Sequence, residues 1–190
     1  MTKNKTDTRD FHYSSKKFKE LLLYVSARSE NDPEFGPIKL NKILFYSDFW
    51  AYAMWGKPIT GATYKTLLHG PGPSTIVPAV KELEDEGRAV MIPKADLVSD
   101  HKRLVARVAP DLSEFDAREI SLVERFLEAF RGASGHSLSK LTHETVIGWQ
   151  LTSLGEMIPY STVFLSSDPA PAEAIRFGQR VSAEHGWLSN

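Results

Sequence analysis

Residues 38–55 contain neither glycine nor proline and are long enough for about five helical turns. Their apolar side chains do not keep to one side. Leu40, Ile43, Leu44, Phe45, Phe49, Trp50 and Met54 point almost all round a 3.6-residue wheel. A helix of that kind has to be wrapped by the rest of its domain. It is too short and too polar to span a membrane, because Lys39, Asn41, Lys42, Ser47 and Asp48 interrupt it. Asn41 and Asp48, seven positions apart, share a face. They read either as a small polar stripe inside an apolar surround or as ordinary solvated groups. Trp50 reads as core. Gly56 and Pro58 then stop the helix.

The next stretch, 59–68, has the Thr, Tyr and Leu content of a strand. It ends in His69-Gly70-Pro71-Gly72-Pro73. Each proline holds its predecessor extended, and each predecessor is a glycine, so a sharply shaped connector is expected. It is a poor phosphate cradle, because two of its residues have no N–H to donate.

These two stretches carry a resemblance. K-L-N-K-I-L-F-Y-S-D-F-W, W-G-K-P-I-T-G-A-T-Y-K and H-G-P-G-P-S stand in order, followed by an acidic helix. Further on come L-S-K-L-T-H-E with Thr142 and His143, then Trp149 and G-E-M-I-P-Y. Together they resemble the Panacea domain, the SocA-like antitoxin domain of toxin–antitoxin pairs, over roughly residues 18–163. The resemblance implies a binding module that masks a cognate protein toxin, in one branch also delivering it to a cellular protease.

The remaining chain reads as follows. Residues 1–13 are polar and unpatterned, and a flexible arm is expected there. Phe18, Leu21, Leu22 and Val25 mark an amphipathic helix over 15–27. A helix capped near Thr75 runs to Glu86, its far end acidic with Glu82, Glu84, Asp85 and Glu86. Residues 89–93 and 103–109 alternate like strands. With 59–68 they are expected to form a small antiparallel three-stranded sheet. Asp116, with Glu119 three positions later, has the pattern of a capping box. Residues 166–190 read as a helical extension of a domain covering 14–165. The fold class expected is α+β, mainly α, built around the central helix and with the element order of a winged helix-turn-helix.

Chemistry-bearing motifs are sparse. The chain has no cysteine, which removes disulfides, thiolate metal sites and cysteine catalysis. No two histidines stand three or four positions apart, and neither a nucleophile elbow nor a phosphate-binding glycine loop occurs. No enzyme activity, metal or cofactor is therefore expected. No secretory signal or spanning segment is visible, so a cytoplasmic location is expected. With a net charge of −1, nothing pulls the whole chain towards nucleic acid. A winged-helix DNA-binding regulator, or an autoregulator of its own operon, is the alternative. Against it, the would-be reading helix opens with Thr75-Ile76-Val77-Pro78 and offers few donors to base edges. Expected toxin contacts are Tyr64, Lys65, His69, Pro71 and Pro73, with Glu82 and Asp85 steering a basic partner. His69 reads first as a residue that fixes the turn and only second as one at the mouth of a partner site.

Overall fold

The computed structural model describes residues 11–93, 102–166 and 172–184. Helix α1 (Ser15–Arg28) starts where the Ser14 hydroxyl accepts the Lys17 N–H. Its Phe18, Leu21, Leu22 and Val25 are fully buried, as their spacing requires. Helix α2 (Pro37–Trp55) begins on a proline, whose missing N–H would be unbonded there anyway. Leu40, Ile43, Leu44, Phe45 and Phe49 are buried, each gaining about 1.5–3 kcal/mol over exposure. Trp50 is the exception to its expected core position, since 47% of it is exposed.

The neighbours that wrap α2 come from the whole chain. They are α1, strand β2 (Gly70–Pro73), α4 (Ala117–Ala129), α5 (Gly135–Thr145) and a short 3-10 turn at Tyr160–Phe164. Asp116 caps α4 by accepting the N–H groups of Arg118 and Glu119, while the Glu119 carboxylate accepts the Asp116 N–H. Helix α3 (Ile76–Asp85) begins after Thr75 and packs on α1.

The domain is mainly α with a small antiparallel three-stranded sheet, but the strands in that sheet are not the expected ones. Strand β1 (Tyr64–Leu67) pairs on one side with β2 and on the other with β5 (Met157–Ile158). Among the described residues, strands β3 (Ala89–Pro93) and β4 (Lys102–Ala106) pair only with each other, and they pack on α3 and α1. Two physical reasons account for the difference. Thr60 is held by Asp48, so the stretch 59–68 becomes a strand only at Tyr64. The residues taken for a connector form β2, an edge strand where proline's missing N–H costs no ladder bond. In chain order α3 is followed by the β3–β4 hairpin.

Helix α6 (Ile147–Gln150) links α5 to the loop before β5, and α7 (Ala172–Glu184) follows later in the chain. Of the expected arm, residues 1–10 lie outside the described residues. Phe11 packs edge-on against Tyr52 and Tyr160, at centroid distances of 5.4 and 5.6 Å. The expected C-terminal extension is described only at 166 and over α7.

Candidate toxin-facing surface

Lys42 and Asn41 of α2 lie against β2, and this single contact joins two of the sequence motifs. The Lys42 side chain is buried. Its ammonium donates to the carbonyls of His69 at 2.5 Å and Pro71 at 3.3 Å. A Cβ on Gly70 would overlap Lys42 Nζ, and one on Gly72 would lie 2.6 Å from Leu67 Cδ1 and 3.0 Å from Asn41 Nδ2. The glycines of G-P-G-P are therefore the space into which the two polar side chains fit. Burial lowers the Lys42 pKa to about 7.

Nearly two turns further along α2, Asp48 is fully enclosed. Its carboxylate accepts the Thr60 N–H at 2.7 Å, the Thr60 hydroxyl at 2.5 Å and the Tyr64 hydroxyl at 2.8 Å. Burial raises its pKa, and the donors from Thr60 and Tyr64 oppose that rise. The Tyr64 and Tyr160 hydroxyls are pushed up, first by burial and then by the Asp48 charge. The Tyr160 hydroxyl donates to the Ala62 carbonyl at 2.6 Å, which fastens the 3-10 turn to the approach to β1.

The α5–α6 corner clasps β1 from the other side. Thr142 is buried, and its hydroxyl returns to the Leu138 carbonyl at 2.7 Å. His143 stacks on Trp149 with centroids 3.9 Å apart, and the Trp149 N–H donates to the Leu67 carbonyl at 3.0 Å. The loop after α6 is laced along β1. Thr66 donates its N–H to the Glu156 carbonyl and accepts at its own carbonyl from Gly155, while the Thr66 and Thr152 hydroxyls are hydrogen-bonded. Glu156 accepts the Ser153 N–H and keeps the loop turned.

Outward of this frame lies an apolar rim. Leu67, Leu68, Leu151, Leu154 and Met157 are 38–71% exposed and belong to the β1 tip or to the loop bonded to it. Single exposed leucines are ordinary, whereas these five belong to one hairpin tip and the segment bonded to it.

The expected contact residues divide accordingly. Tyr64, Pro71 and Pro73 are buried and cannot touch a partner as the molecule stands, because β1 turns Tyr64 and Thr66 inward and β2 lies under α2. Lys65 is half-buried and His69 is exposed at the tip. Glu82 and Asp85 are exposed on α3, but Glu82 lies 3.3 Å from Lys19 and Asp85 2.8 Å from Lys81, so part of the acidic charge is met locally. Asn41, Asp48, Gly70, Gly72, Thr142, His143 and Trp149 brace the hairpin from within. The apolar rim was not anticipated. Its signal in the sequence is Leu151 and Leu154 standing in an otherwise polar, glycine-ended loop.

Residues 40–150, more than half of the chain, match the family described as antitoxin SocA-like, Panacea domain. The chain belongs to the SocA-like Panacea family. No curated protein and no solved structure matches it. Membership supports an antitoxin role and, in general terms, a protein toxin as partner. The matched span holds α2, the β1–β2 hairpin and the α5–α6 clasp, that is, most of the frame behind the rim. No helix among the described residues is long and apolar enough to cross a membrane.

Proposed function

We propose that this Panacea protein neutralises a cognate protein toxin by binding it directly through the apolar rim of the β1–β2 tip and the 151–157 loop. The observation that carries this is the exposure of five large apolar side chains on an edge whose backbone is pinned from both faces. Such an edge loses little conformational freedom on binding, so buried apolar area is retained as affinity. His69 and Lys65 supply the polar margin of the contact. The role requires no turnover. Handing the bound toxin to a cellular protease is a further use of the same contact.

The test is co-expression. The protein encoded beside this one is induced in cells with and without this chain, survivors are counted, and the complex is sought by pull-down. Rescue together with a stable complex is expected. Leu68→Asp combined with Leu154→Asp, both on exposed positions, abolishes rescue and complex while leaving the circular dichroism spectrum unchanged. Rescue that persists in this double variant would remove the rim from the mechanism. Rescue without any complex would remove direct binding. Toxin half-life, followed in the rescued cells, tests protease delivery: a half-life unchanged by this chain excludes it.

A further inference from the structure

Beyond the Phe45 and Phe49 rings that pack on Tyr64, α2, the α5–α6 junction and the Tyr160–Phe164 turn leave a groove of about 230 Å³. Its walls are apolar, with Tyr46, Trp50, Val146, Ile147, Val163 and Leu165 prominent. The three hydroxyls at its edge are already engaged, that of Tyr46 lying 3.5 Å from the Thr145 hydroxyl. Thr145 donates to the Leu141 carbonyl and Thr162 to the Pro159 carbonyl, each about one turn back. The groove therefore asks for an apolar occupant that brings few hydrogen-bonding demands.

Helix α7 has the matching need. Ile175, Phe177 and Val181 fall within an arc of roughly 160° on the helical wheel, and Glu173, Arg176, Arg180 and Glu184 fill the rest. Ile175 and Phe177 are about half exposed, and among the described residues no hydrogen bond, ion pair or ring contact joins α7 to the body. Thirteen residues of such a sequence do not hold a helix in water unaided, because helices shorter than about 12–15 residues are marginal on their own. Its stability has to come from a surface. The chain leads there directly: Leu165 is part of the groove wall, and the seven residues to Ala172 reach at most about 25 Å.

We propose that this groove is the docking site of the chain's own helix α7, laid with Ile175, Phe177 and Val181 against Trp50 and Ile147. The charged arc of the helix then faces solvent, and no ionised group of the groove wall opposes it. The contact is made within one chain, so it is independent of concentration and of any toxin.

The absence of cysteine makes cross-linking free of background. Thr145→Cys in the full chain is combined with Gln179→Cys, Glu184→Cys or Arg176→Cys and treated with a short bismaleimide. Ser161→Cys, an exposed position next to Thr162 of the groove wall, serves as a second anchor. Gln179 and Glu184 flank the apolar arc, whereas Arg176 lies on the far side. Intramolecular cross-links at 179 and 184 are expected, with a yield at least about tenfold lower at 176. Adding Phe177→Asp lowers the yield at 179 and 184 by a similar factor, because a buried aromatic is exchanged for a charge. Equal yields at all three positions, yields insensitive to Phe177→Asp, or no cross-link from either anchor would overturn the proposal. Cross-links formed only between copies would overturn it too and assign the groove to a second molecule. None of these outcomes bears on toxin neutralisation, which is read in a separate assay.

Discussion

Lys39 and Lys42 lie one turn apart on α2, both buried, yet in different electrostatic settings. Lys39 meets the Asp32 carboxylate at 2.6 Å. Among the described residues Lys42 bonds only the His69 and Pro71 carbonyls, and burial holds its pKa at about 7, against an ordinary lysine value of 10.5. Between those values the unfolded chain binds a proton that the folded chain does not. Stability therefore rises with pH across that window, by up to about 1.4 kcal/mol per unit. Urea unfolding at pH 7, 8.5 and 10 should show this rise in the native protein and a flatter profile in Lys42→Met. Equal profiles would mean that Lys42 keeps its proton in the fold. The same pocket explains Gly70, which has a φ of +96° and meets Lys42 where a Cβ would stand. Gly87 also has a positive φ, +69°, but open space around it. Gly87→Ala should cost about 1–2 kcal/mol for the left-handed backbone alone, and Gly70→Ala about 2 kcal/mol more for the added clash. Denaturation midpoints of the two variants measure the difference.

At the scale of elements, helix boundaries were legible and strand partners were not. The Asp116–Glu119 spacing announced the start of α4 because a capping box is local chemistry, completed within four residues. Asp116→Ala should accordingly lower the melting temperature by about 2–4 °C, and Asp116→Asn by less, since the amide oxygen still caps. Scanning calorimetry separates the two. Sheet pairing depends instead on partners far apart in the chain. Strand β2, with no side chain larger than proline, has no alternation to read, and β5 is only two residues long. The burial phase of β1 was likewise hidden. Residue types placed Tyr64 at a surface, but the hydroxyl was claimed by Asp48 from α2, sixteen positions earlier. The central helix was legible because an apolar wheel demands a wrapped position. Its exposed Trp50 was not, because the sequence does not state which neighbours stop short of covering it.

Taken whole, the molecule has a net charge of −1 and a contact rim made of leucine and methionine, while its acidic helix end is partly met by Lys19, Lys81 and Arg88. That distribution favours a toxin contact driven by apolar burial over one driven by charge. The two cases respond oppositely to salt. Raising ionic strength from about 0.1 to 1 M shortens the screening length from about 10 to about 3 Å. A complex held by steering charges would lose more than about tenfold in association rate over that range. A complex held by the rim should keep its Kd within about threefold, because apolar burial is not screened. Replacing Glu82 with Gln and Asp85 with Asn together should likewise leave Kd within about threefold. The pair Leu68→Asp and Leu154→Asp should raise it by at least about a hundredfold, as loss of two central anchors does. Titration calorimetry at both salt concentrations decides the matter. A steep salt dependence, with sensitivity to the α3 carboxylates and indifference to the leucines, would move the toxin contact from the hairpin rim to the end of α3.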